Sequence, residues 1–153
     1  SSWKVAFNGA EPVRADTLRR FTERFGDFGF RPETHYPCYG MAETTLIVTG
    51  SYMGRPKIVR TFDGRALDAR RVQPVAADAP GARELVGCGH VLPEESVKIV
   101  DPNTCSELPP GQIGEIWVNS PSVTRGYWNE PVATEQTIRA HLAGDAARQT
   151  RHA

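Results

Sequence analysis

The first fifty residues constrain the fold most: two short apolar runs flank one amphipathic helix, and each run ends in a loop where glycine lies near glutamate. Residues 4–7 lean apolar and end in Asn8-Gly9-Ala10-Glu11-Pro12, which reads as a buried strand running out into a tight loop. Across residues 16–25, Leu18, Phe21 and Phe25 share one helical face, while Arg19, Arg20, Glu23 and Arg24 share the other. Asp16 is the expected N-cap and Gly26 the expected stop. Residues 34–38 then read as a second strand, leading into Tyr39-Gly40-Met41-Ala42-Glu43 and an apolar stretch to Val48. Strand, helix and strand in this order predict an α/β fold with a parallel βαβ unit. Ligands of such sheets collect at the C-terminal ends of the strands, so the two loops are expected to face one pocket.

The rest of the chain has a different character. Residues 51–83 are rich in Gly, Pro, Arg and Ala, with a short Ile58-Val59 pair, a run at 72–75 and no sustained period. They read as an inserted excursion. Residues 84–88, 96–100 and 114–119 are three short strand signals separated by turns such as Asp101-Pro102-Asn103 and Pro109-Pro110-Gly111, which predicts a small antiparallel lobe. Residues 121–128 read as an ordered loop, 131–142 as a final helix and 145–153 as a loosely ordered tail. The expected organisation is therefore 1–50, the end of an α/β subdomain; 51–83, the insertion; 84–142, the β lobe and final helix; and 143–153, the tail. The chain opens at Ser1 without an initiator Met and moves straight into a strand, so a fragment is expected.

Lys+Arg and Asp+Glu are both 18, with no basic stripe to meet a polyanion, so nucleic acid is not an expected ligand. The longest apolar runs, such as Leu46-Ile47-Val48, are far too short for a helical membrane span, and no signal segment opens the chain. A cytoplasmic location is expected. Cys38, Cys88 and Cys105 are odd in number and widely spaced, and are read as reduced thiols.

Glycine in the Asn8–Pro12 loop lets backbone approach a flat ring closely, and Pro12 stiffens the exit, so the loop suits one face of a purine. A plain strand-to-helix turn is the commoner meaning of such a pentapeptide taken alone. Tyr39-Gly40-Met41-Ala42-Glu43 offers an aromatic ring for stacking, a Gly permitting close contact, and a carboxylate for a metal-bound phosphate. Alone it also fits packing plus a surface glutamate; the pairing of the two loops, one helix apart, favours the site. Other features rank lower. Gly54-Arg55-Pro56-Lys57 lacks the phosphate-cradling frame of a P-loop. His35 and Cys38 fall on opposite faces of a strand. His90, His141 and His152 are scattered, and Trp117 and Trp128 read as packing residues.

With these residues in order, the chain resembles the adenylate-forming superfamily of acyl-CoA synthetases, luciferases, peptide-synthetase adenylation domains and fatty acyl-AMP ligases. NGAEP at residues 8–12 resembles its adenine-contacting loop, and YGMAE at 39–43 its aromatic-Gly-x-x-Glu motif. GQIGEIWVNSPSVTRGYWNEP at 111–131 resembles its G-E-I/L…G-Y motif. Ala42, where most members carry Thr, and the excursion at 51–83 are similar to the fatty acyl-AMP ligases. The resemblance implies an internal piece of the large N-terminal domain of an ATP-dependent ligase. A fatty acid would become acyl-AMP and then be passed to an acyl carrier protein, with coenzyme A the alternative acceptor and a truncated, non-catalytic nucleotide-binding remnant the alternative role. It assigns Asn8, Gly9, Ala10, Glu11, Pro12 and Tyr39 to adenine. Gly40, Met41 and Ala42 go to the ribose-phosphate or acyl carbonyl, and Glu43, the candidate catalytic residue, to Mg2+ through the phosphates. The family's phosphate loop is expected upstream of Ser1, and its Thr-Gly-Asp segment and catalytic Lys beyond the chain; Gly144-Asp145 is a faint echo of the former.

Overall fold

A computed structural model describes residues 2–144. Its elements run β1 (Ala6–Asn8), α1 (Ala15–Gly26), β2 (His35–Met41), β3 (Leu46–Gly50), β4 (Val59–Asp63), α2 (Gly64–Asp68), β5 (Ala82–Val86), β6 (His90–Val91), β7 (Ser96–Asp101), β8 (Ser106–Glu107), β9 (Glu115–Asn119) and α3 (Pro131–Ala133). β1 and β2 pair in parallel, Ala6 beside His35 and Asn8 beside Pro37, which is the expected βαβ unit. β3 and β6 extend this sheet antiparallel, giving the order β1-β2-β3-β6.

Helix α1 buries Ala15 and Leu18, and its half-buried Phe21 meets Phe30 and His35 edge-on at centroid distances of 4.9 and 5.8 Å. Aromatic edges supply specific contacts beyond area burial, so this cluster seats the helix on β2. The N-cap is Arg14, not Asp16, and no side chain caps the helix. Asp16 lies instead in the first turn, where a carboxylate still complements the helix dipole. Gly26 ends the helix as expected.

The expected antiparallel lobe is present with different membership. β7 pairs with β8 and β9 around a core of Val100, Trp117 and Leu142. The strand expected at 84–88 lies at Ala82–Val86 and pairs instead with β4, Val59 opposite Val86 and Asp63 opposite Ala82. The excursion is therefore more ordered than its composition suggested: a hairpin enclosing α2, which Asp63 caps by accepting from the Ala66 amide at 2.7 Å. The run at 72–75 lies along the other side of β4, through Asp63 N–H to the Gln73 carbonyl and Val75 N–H to the Thr61 carbonyl.

The final helix is shorter than expected. α3 continues as a π turn over Thr134–Ile138, and Arg139 leaves helical geometry at φ −113°. Leu142 lies beyond it, packed in the lobe core. Trp117 is buried, as expected, but Trp128 is 96% exposed and packs in no core. Asp145, His152 and the expected loose tail fall outside the described residues.

Candidate nucleotide site

The parallel pairing of β1 and β2 brings the NGAEP loop to the residue before the second motif. Gly9 follows β1 and lies against Cys38: a Cβ at Gly9 would come within 2.9 Å of Cys38 Sγ and 3.1 Å of its carbonyl oxygen. Cys38 is the residue before Tyr39, so NGAEP leaves β1 beside the point where YGMAE begins on β2. Ala10 turns the chain with φ 67°, a left-handed conformation uncommon outside glycine. Gly9, Ala10, Glu11 and Pro12 are exposed, whereas the Asn8 side-chain oxygen is buried with no hydrogen-bond partner.

The second motif differs from the expected loop. β2 continues through Tyr39, Gly40 and Met41, and only Ala42–Thr44 form a turn, of the tight 3-10 kind. A register shift between Tyr39 and Gly40 bulges the β2–β3 ladder. Gly40 is required by the fold itself, since a Cβ there would sit 1.4 Å from the Leu46 carbonyl oxygen. Bulges of this kind redirect a side chain at the end of a strand.

Glu43 is half-buried, and its carboxylate is held. Tyr127 donates its hydroxyl hydrogen to Glu43 Oε1 at 2.6 Å. The Thr124 amide donates to the Glu43 carbonyl at 2.7 Å. On the next two residues, Ser122 Oγ donates to the Thr44 carbonyl at 2.8 Å, and Thr45 Oγ1 donates to the Ser122 carbonyl at 3.0 Å. The hydrogen bond to Glu43 pushes the Tyr127 phenol above its ordinary pKa, with burial and the carboxylate's charge adding to the effect. Burial, then the nearby Glu43 charge, does the same to Tyr39. Tyr39, Glu43 and Tyr127 thus form one electrostatic group.

Sequence reasoning missed Tyr127 as a partner of Glu43. It noted the Gly126-Tyr127 pair only as part of a family motif, and 84 residues separate the two side chains. Gly126 adopts φ 155°, and the Tyr127 amide donates to Thr134 Oγ1 at 2.9 Å, which fixes the direction of the ring from behind.

His35 and Cys38 form no thiol–imidazole pair. His35 is buried under α1, close to Thr22 and the Leu18 carbonyl, while Cys38 Sγ donates to the Asn8 carbonyl at 3.4 Å. All three cysteines are free, and burial raises the Cys38 and Cys88 thiols, which disfavours thiolate chemistry. A cavity of about 420 Å3 between α1, Pro32 and Lys57 shares no residue with either motif loop. Among the described residues no cluster of three His, Cys, Asp or Glu can hold a metal, and no helix is long and apolar enough to cross a membrane.

Residues 1–128 match the family described as AMP-binding enzyme. A medium-chain-fatty-acid acyl-carrier-protein ligase, JamA, of Moorena producens is 43% identical over 145 residues, 94% of this chain and 24% of the relative. The long-chain-fatty-acid AMP ligase FadD32 of Mycolicibacterium smegmatis is 44% identical over 142 residues, covering 90% of this chain and 22% of the relative. The crystal structure of a fatty acyl-adenylate ligase from Legionella pneumophila, in complex with acyl adenylate and pyrophosphate, superposes with a TM-score of 0.90 at 44% identity. That match covers 99% of this chain and 26% of the crystallised one. The chain thus spans about a quarter of the length of these relatives.

Proposed function

The chain belongs to the AMP-binding enzyme family and is similar to its fatty acyl-AMP ligases, and from that premise we propose that it supplies the adenine-facing part of a fatty acid adenylating site. In the reaction a fatty carboxylate oxygen attacks the α-phosphorus of ATP. The bond to the bridging oxygen breaks, pyrophosphate leaves with that bond's electron pair, and acyl-AMP remains. The observation that carries this reading is the parallel β1–β2 pairing, which sets Gly9 against Cys38 and so brings the NGAEP loop beside Tyr39.

The residues fit a nucleotide. Gly9, Ala10, Glu11 and Pro12 are exposed and adjoin, through the Gly9–Cys38 contact, the residue before Tyr39, whose ring suits purine stacking. The buried, unpartnered Asn8 oxygen is an acceptor in need of a donor, and a purine amino group is one. They also fit magnesium held through phosphates. Mg2+ is commonly bound by one or two carboxylates plus substrate phosphates rather than by a protein cage. Glu43 provides one carboxylate: Tyr127 occupies Oε1, and Oε2 has no hydrogen bond among the described residues. The ion would offset charge on the departing pyrophosphate. Gly40, Met41 and Ala42 border the ribose-phosphate or acyl carbonyl, and alignment of nucleophile and phosphate does most of the work.

We assign the acceptor of the acyl group as an acyl carrier protein, working in the cytosol, and residues 51–83 as an insertion that restrains domain motion against use of coenzyme A. The resemblance of JamA, by name an acyl-carrier-protein ligase, supports that choice. The test is fatty-acid-dependent ATP–pyrophosphate exchange by the intact polypeptide, followed by transfer to holo-carrier protein or to coenzyme A. Exchange with transfer to the carrier alone is expected. Absence of exchange would remove the ligase reading, and transfer to coenzyme A at a comparable rate would remove the acceptor.

A further inference from the structure

The 120–127 loop holds Glu43, Thr44 and Thr45, and one of its contacts does more than join two segments. Three of the bonds involve a backbone carbonyl: Thr124 amide to Glu43, Ser122 hydroxyl to Thr44, and Thr45 hydroxyl to Ser122. These position the turn. The fourth, from the Tyr127 hydroxyl to Glu43 Oε1 at 2.6 Å, fixes the carboxylate itself. We propose that Tyr127 is a positioning residue that orients the Glu43 carboxylate toward Mg2+-bound nucleotide, so that the β lobe, through its 120–127 loop, sets the metal affinity of a site built on another sheet.

The geometry carries this in three steps. First, a glutamate side chain has three rotatable bonds, and a carboxylate free to wander presents no fixed oxygen to a cation. The O–H···O− bond to Tyr127 is of the short, charge-assisted kind, and it leaves Oε2 as the oxygen without a partner among the described residues. Second, Tyr127 is itself braced, its amide bonded to Thr134 Oγ1. Gly126 admits this approach, since a Cβ there would meet the Thr134 side chain at 2.6 Å. Third, the contact joins the turn between β2 and β3, in the four-stranded sheet, to the loop that follows β9, in the three-stranded one. Partners behind a metal ligand typically set affinity by roughly 10- to 100-fold, although they never touch the ion.

This inference rests on the assignment of Glu43 to magnesium and nucleotide, and the experiment separates the two. Calorimetry measures binding of a nonhydrolysable ATP analogue to the intact polypeptide, with and without Mg2+, for wild type, Tyr127→Phe, Glu43→Gln and the double variant. Tyr127→Phe is expected to weaken binding about 10-fold with Mg2+ and to leave Mg2+-free binding unchanged. It should add nothing in the Glu43→Gln background, because its effect passes through that carboxylate. Wild-type affinity in Tyr127→Phe alongside a loss in Glu43→Gln overturns the inference and keeps the assignment. A loss equal with and without Mg2+, or additive with Glu43→Gln, also overturns it, since that marks a general structural effect. Wild-type behaviour in Glu43→Gln overturns the assignment itself. Should Tyr127→Phe fail to fold, Thr134→Val decides: it removes the acceptor of the Tyr127 amide and leaves Glu43 itself unaltered, and a Mg2+-dependent loss is again expected. Its absence counts against the proposal.

Discussion

Replacing Gly40 with alanine asks whether the nucleotide motif is built by the β2–β3 hairpin. The added Cβ would lie 1.4 Å from the Leu46 carbonyl oxygen, 2.5 Å from its carbonyl carbon and 2.8 Å from Ile47 Cα. All three are backbone atoms, so no rotamer change relieves the overlap. Restoring van der Waals separation moves the Leu46 carbonyl by about 2 Å, which disrupts the Gly40–Ile47 and Met41–Leu46 pairs at the end of the ladder. Losing about two backbone hydrogen bonds, each worth about 1 kcal/mol, on top of overpacking strain gives a cost of roughly 3–5 kcal/mol. Gly9→Ala is the internal comparison: its Cβ meets the Cys38 Sγ at 2.9 Å, a side-chain obstacle, beside a carbonyl oxygen at 3.1 Å. About 1 kcal/mol is expected there. Urea unfolding of the intact polypeptide reads both as shifts in midpoint at unchanged slope. A Gly40→Ala midpoint within error of wild type, or one shifted less than that of Gly9→Ala, would refute the reasoning.

Three further outcomes follow from the same contacts. Tyr127 is an acid whose folded pKa is raised, so the stability its bond provides is present below the ordinary phenol pKa of about 10 and lost as pH rises through the raised value. In a phenolate absorbance titration, Glu43→Gln should return Tyr127, and to a lesser extent Tyr39, toward lower pH, and an unchanged curve would contradict the contact. His35 is depressed, mainly by burial and further by Lys57, against the opposing Leu18 hydrogen bond. The unfolded chain then takes up the proton first, so stability should fall as pH drops below about 6.5 and level off only beneath the folded pKa. His35→Gln should flatten that slope. Trp117→Ala, which empties the centre of the lobe core, is expected to cost about 3–5 kcal/mol in chemical denaturation.

How much of this was legible in the sequence depended on how local the cause was. The βαβ unit was, because Leu18, Phe21 and Phe25 mark one face of α1 and the flanking runs are short and apolar. The β7–β9 pairing was too, since Pro109-Pro110-Gly111 separates two strand-like runs. The β4–β5 hairpin was not: its strands are half-exposed, carry arginine and glutamate, and close around a short helix, so no alternation announced them. The last helix stopped early because Ile138 is already fully buried and the next residues turn toward the lobe, where Leu142 joins the core. For the site, the motif residues were legible as residue types, but Tyr127 was invisible as their partner. Only tertiary structure brings position 127 to position 43.

The most direct test of the central claim is a crystal structure of the intact polypeptide with a nonhydrolysable acyl-adenylate analogue. The account predicts the adenine between residues 8–12 and the Tyr39 ring, with the Glu43 carboxylate directed to the phosphate side. Adenine bound elsewhere, for instance in the cavity between α1 and Lys57, with both motif loops unoccupied, would contradict it.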